Sequence, residues 1–257
     1  MAISLHWGRQ SHVQVHVRTV EAARPLRWLE QGWQDLRAHW RVSLAHGLLL
    51  TAAGWVLLAL GSTHPYLIAA AITGFLLVGP LMTTGVVEVS RRARAGQAVS
   101  FDESLEGFTR SRPALFEFSL IIGAIAVLWF IVSEVLLRWM FDTEAPTLGR
   151  VLNDGVLQAA SGLRILAYVV IGGGLAALVF VVSAVSVPLI IDRHASAGQA
   201  MRTSLRAVFA NLPAMLVWSA VLVVLTAIGF ATLLIGMIWI APLLGHATWH
   251  AYRDLIE

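Results

Sequence analysis

Residues 42–61 read VSLAHGLLLTAAGWVLLALG, a run of 20 residues without Asp, Glu, Lys or Arg. An α-helix needs about 20 predominantly apolar residues to cross the roughly 30 Å hydrocarbon core of a bilayer, so the run predicts a transmembrane helix. The composition agrees, because 58% of the 257 residues are hydrophobic and only 13% are charged. About 25% of the residues of an average soluble protein are charged. The sequence therefore predicts an integral membrane protein and excludes an ordinary soluble domain.

Further apolar runs follow along the chain, and the last of them is too long for one helix. Residues 213–250 would measure about 57 Å as a single helix at about 1.5 Å per residue. We therefore expect this run to fold back on itself near Gly229. The sequence predicts an all-α, polytopic membrane protein with six transmembrane helices. They are predicted at about 42–61, 67–89, 114–137, 165–191, 213–229 and 231–250.

The basic residues are distributed unevenly between the two sides of this predicted bundle. All 18 Lys and Arg positions are Arg, and fifteen of them fall on the side that holds both ends of the chain. The other three are Arg138, Arg150 and Arg164. Because short loops rich in basic residues stay in the cytoplasm, we expect both termini to be cytoplasmic. Arginines that flank spans suit anionic lipid headgroups, and they do not form the basic patch that nucleic-acid binding needs.

An amphipathic helix is predicted immediately before the first span, at residues 25–41. Its apolar residues recur at spacings of three and four, as expected for a helix that lies in the membrane surface. They are Leu26, Leu29, Trp33, Leu36 and Trp40. Because tryptophan favours the membrane–water interface, we expect Trp28, Trp33 and Trp40 to be interfacial anchors.

The segment upstream of this helix is predicted to be a flexible cytoplasmic tail. Residues 12–18 alternate polar and apolar side chains with a strand-like period, but no second strand is evident to pair with them. Residues 1–24 are therefore assigned to the tail, and residues 25–257 to the transmembrane domain. Because the first apolar run begins only after about 41 polar or mixed residues, we expect no cleavable signal peptide.

Short sequence matches recur along the chain. Ala95-Gly-Gln-Ala98 is repeated as Ala197-Gly-Gln-Ala200, and a Ser-Leu pair and then a Pro-Ala pair follow each copy. Pro-Leu pairs mark the ends of three predicted spans, at Pro80, Pro188 and Pro242. The pattern predicts three parallel repeats, each an amphipathic lead-in helix followed by a helical hairpin. Inverted repeats, which are common in transporters, would not give this arrangement.

Ionisable side chains are scarce at membrane depth, and those present are candidates for function. Most of them fall near the cytoplasmic ends of the predicted spans; the set is His46, Glu88, Glu117, Asp192, His246 and His250. Such a cluster could relay protons or bind a metal or haem, for which the candidate ligands are His46, His246 and His250. Alternatively, these groups lie at the headgroup boundary, solvated or hydrogen-bonded to Arg91, Arg193 and Arg253.

No motif in the sequence indicates catalysis. The chain has no Cys, which excludes disulfides, thiolate metal sites, iron–sulfur clusters and cysteine nucleophiles. A hydrolase nucleophile elbow, a phosphate-binding loop and a dinucleotide fingerprint are also absent. Gly172-Gly-Gly174 lies in an apolar run, where small residues allow close helix packing. We therefore expect no catalytic residues and no enzymatic activity.

Three stretches carry a resemblance to a known family. SVPLIIDR (186–193), SLRAVFAN (204–211) and GHATWHAYRD (245–254) resemble the bacterial predicted integral membrane proteins grouped as domain of unknown function 2189. The segments 28–36 and 74–80 fit as well, so that the resemblance covers roughly residues 25–257. It implies a six-helix protein of the inner membrane of Gram-negative bacteria. The family has no established activity, so the resemblance brings no site residues with it.

These observations favour a non-enzymatic accessory, assembly or scaffold protein that binds membrane lipids, other membrane proteins or a second copy of itself. One alternative is a transporter of small solutes, protons or ions that uses the cytoplasmic-side cluster of Glu, Asp and His. Another is a haem- or metal-binding membrane subunit that uses His46, His246 and His250. On the favoured interpretation we expect no resident cofactor.

Overall fold

The computed structural model of the protein describes residues 15–61, 83–141 and 162–257, and within these ranges the chain is almost entirely helical. The predicted all-α class is thereby confirmed. The described helices are α1 (Arg24–Ala38), α2 (Trp40–Gly61), α3 (Thr84–Arg94), α4 (Phe101–Arg110), α5 (Arg112–Phe141), α6 (Gly162–Ser183), α7 (Ser186–Arg193), α8 (Ala197–Ala210), α9 (Leu212–Ala231) and α10 (Met237–Leu255).

Four helical segments of the described chain are long and apolar enough to cross a membrane. They are Trp40–Ala59, Arg112–Leu136, Gly162–Arg193 and Leu212–Ala231, and they coincide with the predicted first, third, fourth and fifth spans. Most of the predicted second span, residues 67–82, lies outside the described residues. The predicted sixth span falls on α10, which is not among the four segments.

The apolar run from residue 213 folds back as expected, slightly later than the predicted position at Gly229. Helix α9 continues to Ala231, and α10 begins at Met237. The Thr232 hydroxyl closes the turn by donating to the Gly229 carbonyl and accepting from the Gly236 amide, both at 2.9 Å. Leu233 and Leu234 complete it with positive φ angles of 52° and 68°.

Three times in the described chain, a short amphipathic helix leads into a long apolar helix through a single residue. The pairs are α1 with α2, α4 with α5, and α8 with α9. The three joint residues share one backbone conformation, with φ/ψ of −120°/35° at His39, −109°/17° at Ser111 and −130°/33° at Asn211. We refer to α1, α4 and α8 as the lead-in helices.

One end of the molecule is closely packed, and we call it the base. In the base each lead-in helix packs on one or two other helices. Helix α1 packs on α10, α4 packs on α3, and α8 packs on α6 and α7. The ends of α3, α7 and α10 also contact one another. Every residue from Thr84 to Ser90 in α3 is buried, as is every residue from Ser186 to Ile191 in α7.

The long apolar helices are far less buried than the base. In three of the four candidate spans about a fifth of the most apolar window, 22%, is buried, and in the Gly162–Arg193 segment only 6% is buried. Large apolar side chains therefore cover their outer surfaces. A face of this kind is expected where lipid or another protein takes the place of water.

The chain before α1 differs from the predicted flexible tail over its described part. Val17 forms an antiparallel β-bridge with Ile256, and His16 and Glu257 exchange backbone hydrogen bonds of 3.2 and 2.9 Å. Asn211 fixes the segment further by accepting from the Val20 amide at 2.8 Å. The described part of the alternating pattern, residues 15–18, thus has a strand partner. Sequence spacing could not identify this partner because it lies at the far end of the chain. Residues 1–14 lie outside the described residues.

Candidate functional site

His246 lies at the centre of a buried polar network in the base. The side chain is fully buried, and each ring nitrogen faces a serine from a different helix. Nε2 is 2.9 Å from Ser43 Oγ in α2, and Nδ1 is 2.7 Å from Ser90 Oγ in α3. Three helices that are distant in sequence therefore meet at one imidazole.

Asp35 of α1 connects this histidine to the next turn of α10. Its Oδ2 atom accepts a 2.6 Å hydrogen bond from Ser90 and a 2.9 Å hydrogen bond from His250 Nε2. His246 and His250 lie four residues apart on one helix face, so a single carboxylate on the neighbouring helix reaches both. The Asp35 side chain is 25% exposed, which places it between the buried imidazole and solvent.

The hydrogen bonds assign the protons of the network. Ser90 donates its only hydroxyl hydrogen to Asp35, so Ser90 must accept from His246 Nδ1. A neutral imidazole protonated at Nδ1 leaves Nε2 as an acceptor. The one hydroxyl hydrogen of Ser43 has two acceptors within reach, His246 Nε2 and the His39 carbonyl, each 2.9 Å from Ser43 Oγ. When the Ser43 hydroxyl turns toward Nε2, the chain Ser43–His246–Ser90–Asp35 is satisfied without a charge on the imidazole. We name these four residues, together with His250, the base network.

Burial and hydrogen bonding shift the pKa values of the base network. Burial lowers the pKa of His246 to about 3, against a weaker opposing effect of Asp35, so the ring is neutral at physiological pH. Burial alone would raise the pKa of Asp35, but hydrogen bonds from His250 and Ser90 and the nearby imidazoles more than offset it and lower that pKa. A charged carboxylate beside a neutral buried imidazole follows.

Glu88 has its own set of partners, all of them arginines. The carboxylate is fully buried and accepts two hydrogen bonds of 2.7 Å from Arg91 and one of 2.9 Å from Arg110 in α4. A Cβ placed on Gly107 of α4 would lie only 3.2 Å from the Glu88 Cβ, so a small residue lets α4 approach the carboxylate. This ion-pair cluster joins α3 to α4.

Asp192 pairs with the end of α10. Its Oδ2 atom accepts a 2.7 Å hydrogen bond from the Tyr252 hydroxyl and lies 3.9 Å from Arg253 Nη1. Burial, together with the Asp192 carboxylate, raises the pKa of Tyr252. The contact ties α7 to α10 and requires no ligand.

The structure separates the two remaining candidates from the base network. His46 is hydrogen-bonded at 3.0 Å to the Val42 carbonyl and at 3.2 Å to Ser104 Oγ, and its ring packs on Phe101. Glu117 is exposed on α5. Of the six candidates, therefore, only His246 and His250 share a site.

The ring nitrogens of His46 and His246, two of the three candidate haem or metal ligands, already have partners within the protein. Both nitrogens of His246 and both of His46 face hydrogen-bond partners. Ligation of a metal by either of these two histidines would require the loss of one of those bonds. Within residues 15–61, 83–141 and 162–257, no group of three His, Asp or Glu is placed to hold a metal ion.

Trp28 differs from its expected role as an interfacial anchor. Its side chain is fully buried, packs edge-on against Trp218 at 5.9 Å and donates a 2.7 Å hydrogen bond to Asp254. The reason is that α1 has two apolar stripes, one of which faces α10. Trp33 belongs to the other stripe, and Trp40 is the first residue of α2. They are 45% and 53% exposed, as an interfacial position would require.

Three members of the base network were not among the sequence candidates: Asp35, Ser43 and Ser90. Asp35 lies on the polar side of the predicted amphipathic helix, where a carboxylate is ordinary. Ser43 and Ser90 are short hydroxyl side chains in apolar surroundings, and such residues usually bond to their own helix. The available signal was the pair His246 and His250 on one helix face, which implies a polar partner without identifying it.

Comparison with known proteins supports the membrane assignment. The model of a family described as predicted integral membrane protein, DUF2189, matches residues 67–192. No curated protein and no solved structure gave a match. The matched segment contains the Glu88 cluster and ends at Asp192, and the resemblance predicted from the sequence is confirmed over that segment. Over residues 67–192, just under half of its length, the chain is therefore similar to this family of predicted integral membrane proteins.

Proposed function

We propose that the protein is a non-enzymatic accessory or scaffold protein of the bacterial inner membrane, with both termini in the cytoplasm. It would bind other membrane proteins, a second copy of itself or lipids through its transmembrane surface. The supporting observation is the contrast between the packed base and the exposed spans. A closely packed base, in which His246 and Glu88 have partners within the protein, orients helices whose outer faces need a partner.

Helix α6 has the most open of these surfaces. Leu163, Leu166 and Val169 are 73%, 57% and 60% exposed. A Cβ placed on Gly173 or Gly174 would have no heavy atom within 4 Å, so a neighbouring helix could approach its backbone closely. Small residues favour such helix pairing in membranes because close approach increases van der Waals contact. We propose α6 as the helix that receives a partner.

The three parallel repeats are part of the proposal. They are supported by the shared conformation of the joints at His39, Ser111 and Asn211. Six residues before each joint, the lead-in helices carry an exposed apolar side chain: Trp33, Leu105 and Leu205, at 45%, 39% and 42%. Together with the flanking arginines, these side chains suit a collar of helices in the anionic cytoplasmic interface.

The test is native mass spectrometry of the protein purified from its own membranes at native expression level. We expect a stoichiometric protein partner, a second copy or retained phospholipid. Gly173→Leu should abolish a protein complex. Gly123→Leu should preserve it, because Gly123 of α5 also has open space around its Cβ position but lies on another helix. A wild-type protein that purifies alone, with neither protein nor phospholipid, would contradict the proposal.

A role in proton movement is the second candidate, and the base network favours it. Ser43, His246, Ser90 and Asp35 form an unbroken hydrogen-bond chain from a buried hydroxyl to a partly exposed carboxylate. Intramembrane chains of this type can relay protons. In proteoliposomes with a pH-sensitive dye inside, this function predicts a proton flux that Asp35→Asn abolishes and Glu30→Gln leaves intact. Absence of flux in the wild type would eliminate this candidate.

A further inference from the structure

The turn between α9 and α10 lies beside the middle of α2. Ser43, near the start of α2, contacts His246, and the next contacts follow in antiparallel order. Thr51 donates to the Leu234 carbonyl at 3.3 Å, and the Trp55 indole donates to the Leu233 carbonyl at 2.8 Å. Helix α2 continues past the turn to Gly61, about 9 Å further at about 1.5 Å per residue.

The hairpin formed by α9 and α10 is short when its height is measured from the base to the turn. From Trp40 to Trp55 α2 rises about 22 Å, less than the roughly 30 Å of a hydrocarbon core. On the α9 side, Trp218 stacks against Trp28 of the lead-in helix α1. The part of α9 beyond Trp218 ends at Ala231, a further rise of about 20 Å. Helix α9 as a whole is long enough to cross a membrane, but measured from the depth of Trp28 in α1 both arms end short of the opposite membrane surface.

The turn is suited to hydrocarbon and not to water. Leu233 and Ile235 are 73% and 49% exposed at its surface. Both leucines of the turn have positive φ angles, a conformation for which water-exposed turns normally use Gly, Asn or Asp. A turn at an aqueous surface would gain little from apolar side chains at these positions.

The polar backbone of the turn is satisfied by the protein itself. Thr51 and Trp55 supply donors for two carbonyls, and Thr232 bonds both a carbonyl and an amide. Water would supply such bonds at a membrane surface. In hydrocarbon each unsatisfied group costs several kcal/mol, and non-helical backbone persists there only where protein satisfies it.

We propose that α9 and α10 form a re-entrant hairpin that enters and leaves the membrane by the face carrying the lead-in helices. Its tip, residues 232–236, contacts lipid acyl chains and does not reach water on the opposite face. The sequence predicts two full spans over this region, so the proposal replaces a crossing by a hairpin within the membrane. Both termini remain on the same side in either arrangement.

The natural absence of Cys allows a direct test with single-cysteine variants of the full chain. Leu233→Cys probes the tip. Arg138→Cys probes the far end of α5, where the side chain is 66% exposed, and Arg202→Cys probes the exposed surface of α8. A membrane-impermeant maleimide is added to right-side-out and to inverted membrane vesicles. We expect Arg138→Cys and Arg202→Cys to label from opposite sides, and Leu233→Cys to label from neither side until SDS is added.

A spin label at the same cysteines provides a second measurement. At Leu233→Cys we expect collisions with oxygen to exceed those with a water-soluble nickel chelate, the reverse of the result at Arg202→Cys. Ile235→Cys serves as a second tip variant if Leu233→Cys does not fold. Maleimide labelling of either folded tip variant from the Arg138→Cys side would overturn the proposal and show a full crossing. Labelling from the Arg202→Cys side would also overturn it, since the tip would then not be in the membrane.

Discussion

His246 shows how a polar side chain is kept in the interior of this protein. Its imidazole is fully buried but has a hydrogen-bond partner at each nitrogen, and the adjacent Asp35 has two donors of its own. Burial of a polar group costs little when every donor and acceptor is matched. The same network becomes costly when one member is removed, because the remaining groups are left unsatisfied.

Asp35→Ala should therefore destabilise the protein. The substitution removes the acceptor of both Ser90 and His250, and buried donors without acceptors cost about 1–3 kcal/mol. We expect a lower midpoint of thermal unfolding for the detergent-solubilised protein. Glu30→Ala is the matched control because Glu30 is an exposed carboxylate on the same helix. Equal unfolding midpoints for the two variants would show that the base network contributes nothing to stability.

The stability of the protein should fall as the pH is lowered below about 6.5. The pKa of His246 is lowered from 6.5 to about 3 in the folded protein, so in this interval the unfolded chain binds a proton that the folded protein does not. Stability then rises with pH, by up to about 1.4 kcal/mol per pH unit for one proton. The lowered pKa of Asp35 acts in the same direction at more acidic pH, because its contribution is lost as the pH falls through its folded value.

Denaturant unfolding of wild type and His246→Gln at pH 7, 6, 5 and 4 measures the slope of the free energy of unfolding against pH. We expect the slope to be smaller in His246→Gln and unchanged in His16→Gln, since His16 is exposed. A wild-type stability that is constant from pH 7 to pH 4 would refute the assignment of a neutral, buried His246.

At the scale of single residues, the sequence predicted part of the site. The spacing of His246 and His250 placed them on one helix face, and the structure brings them together through Asp35. Glu88 was grouped with them because it falls near the cytoplasmic end of a predicted span. Its partners are instead Arg91 and Arg110, since periodicity gives the face of a helix but not the helix that packs on it.

Helix α1 illustrates the same limit for a whole element. Trp28, Gly32 and Leu36 form a stripe at a spacing of four that is buried against α10. Leu26 and Trp33 lie on a second stripe at a spacing of seven and stay exposed. The sequence predicted an amphipathic helix with one apolar face for the membrane. A helix that packs on protein with one face and on lipid with another has two apolar stripes.

Gly32→Ala should weaken the docking of α1. A Cβ at this position would lie 2.7 Å from the Ala247 amide nitrogen and 2.9 Å from the Leu243 carbonyl oxygen. Both are backbone atoms that cannot rotate away, and overpacking of this kind typically costs about 1–3 kcal/mol. We expect a lower unfolding midpoint and faster proteolysis within α1.

Gly198→Ala is the control for this substitution. Gly198 is also helical, but its nearest neighbour for an added Cβ is the flexible Arg202 side chain at 3.7 Å. Alanine favours helix over glycine by up to about 1 kcal/mol, so we expect unchanged or slightly raised stability. The explanation of α1 docking fails if Gly32→Ala behaves like Gly198→Ala.

Most elements were predictable because their signals are local. Apolar length identified the four candidate spans, and periodicity identified the helix before the first one. The strand partner of residue 17 is 239 residues away at residue 256, a separation that no local pattern reports. The break between α6 and α7 likewise falls within a longer apolar run, which carries no local signal for it.

On the scale of the whole molecule, the two described ends of the chain meet. Val17 pairs with Ile256, and Arg18 forms an exposed ion pair of 2.6 Å with Glu257. The base is therefore a closed arrangement in which α1, near the start of the chain, packs on α10, near its end. Both described ends consequently lie at the same end of the molecule.

The double variant Val17→Cys with Ile256→Cys should form a disulfide within one chain. Directly opposed residues that do not exchange backbone hydrogen bonds have Cα atoms about 4.5 Å apart, within the range that a disulfide spans. Mild oxidation should increase mobility on a non-reducing gel, and the chain has no other Cys to interfere. Val15→Cys with Ile256→Cys, out of register by two residues, should form it much less readily. Equal cross-linking of both pairs would argue against the observed register.

The docking of α1 on α10 also has a consequence during synthesis. Residues 24–38 leave the ribosome about 200 residues before α10 does, a delay of about 10–40 s at about 5–20 residues per second. Throughout that time the stripe of Trp28 and Leu36 has no protein surface to cover it, and the membrane interface is the nearest apolar environment. A chain that stops before α10 keeps this stripe uncovered, so a nascent or truncated molecule differs from a finished one in a feature that quality-control proteases could recognise.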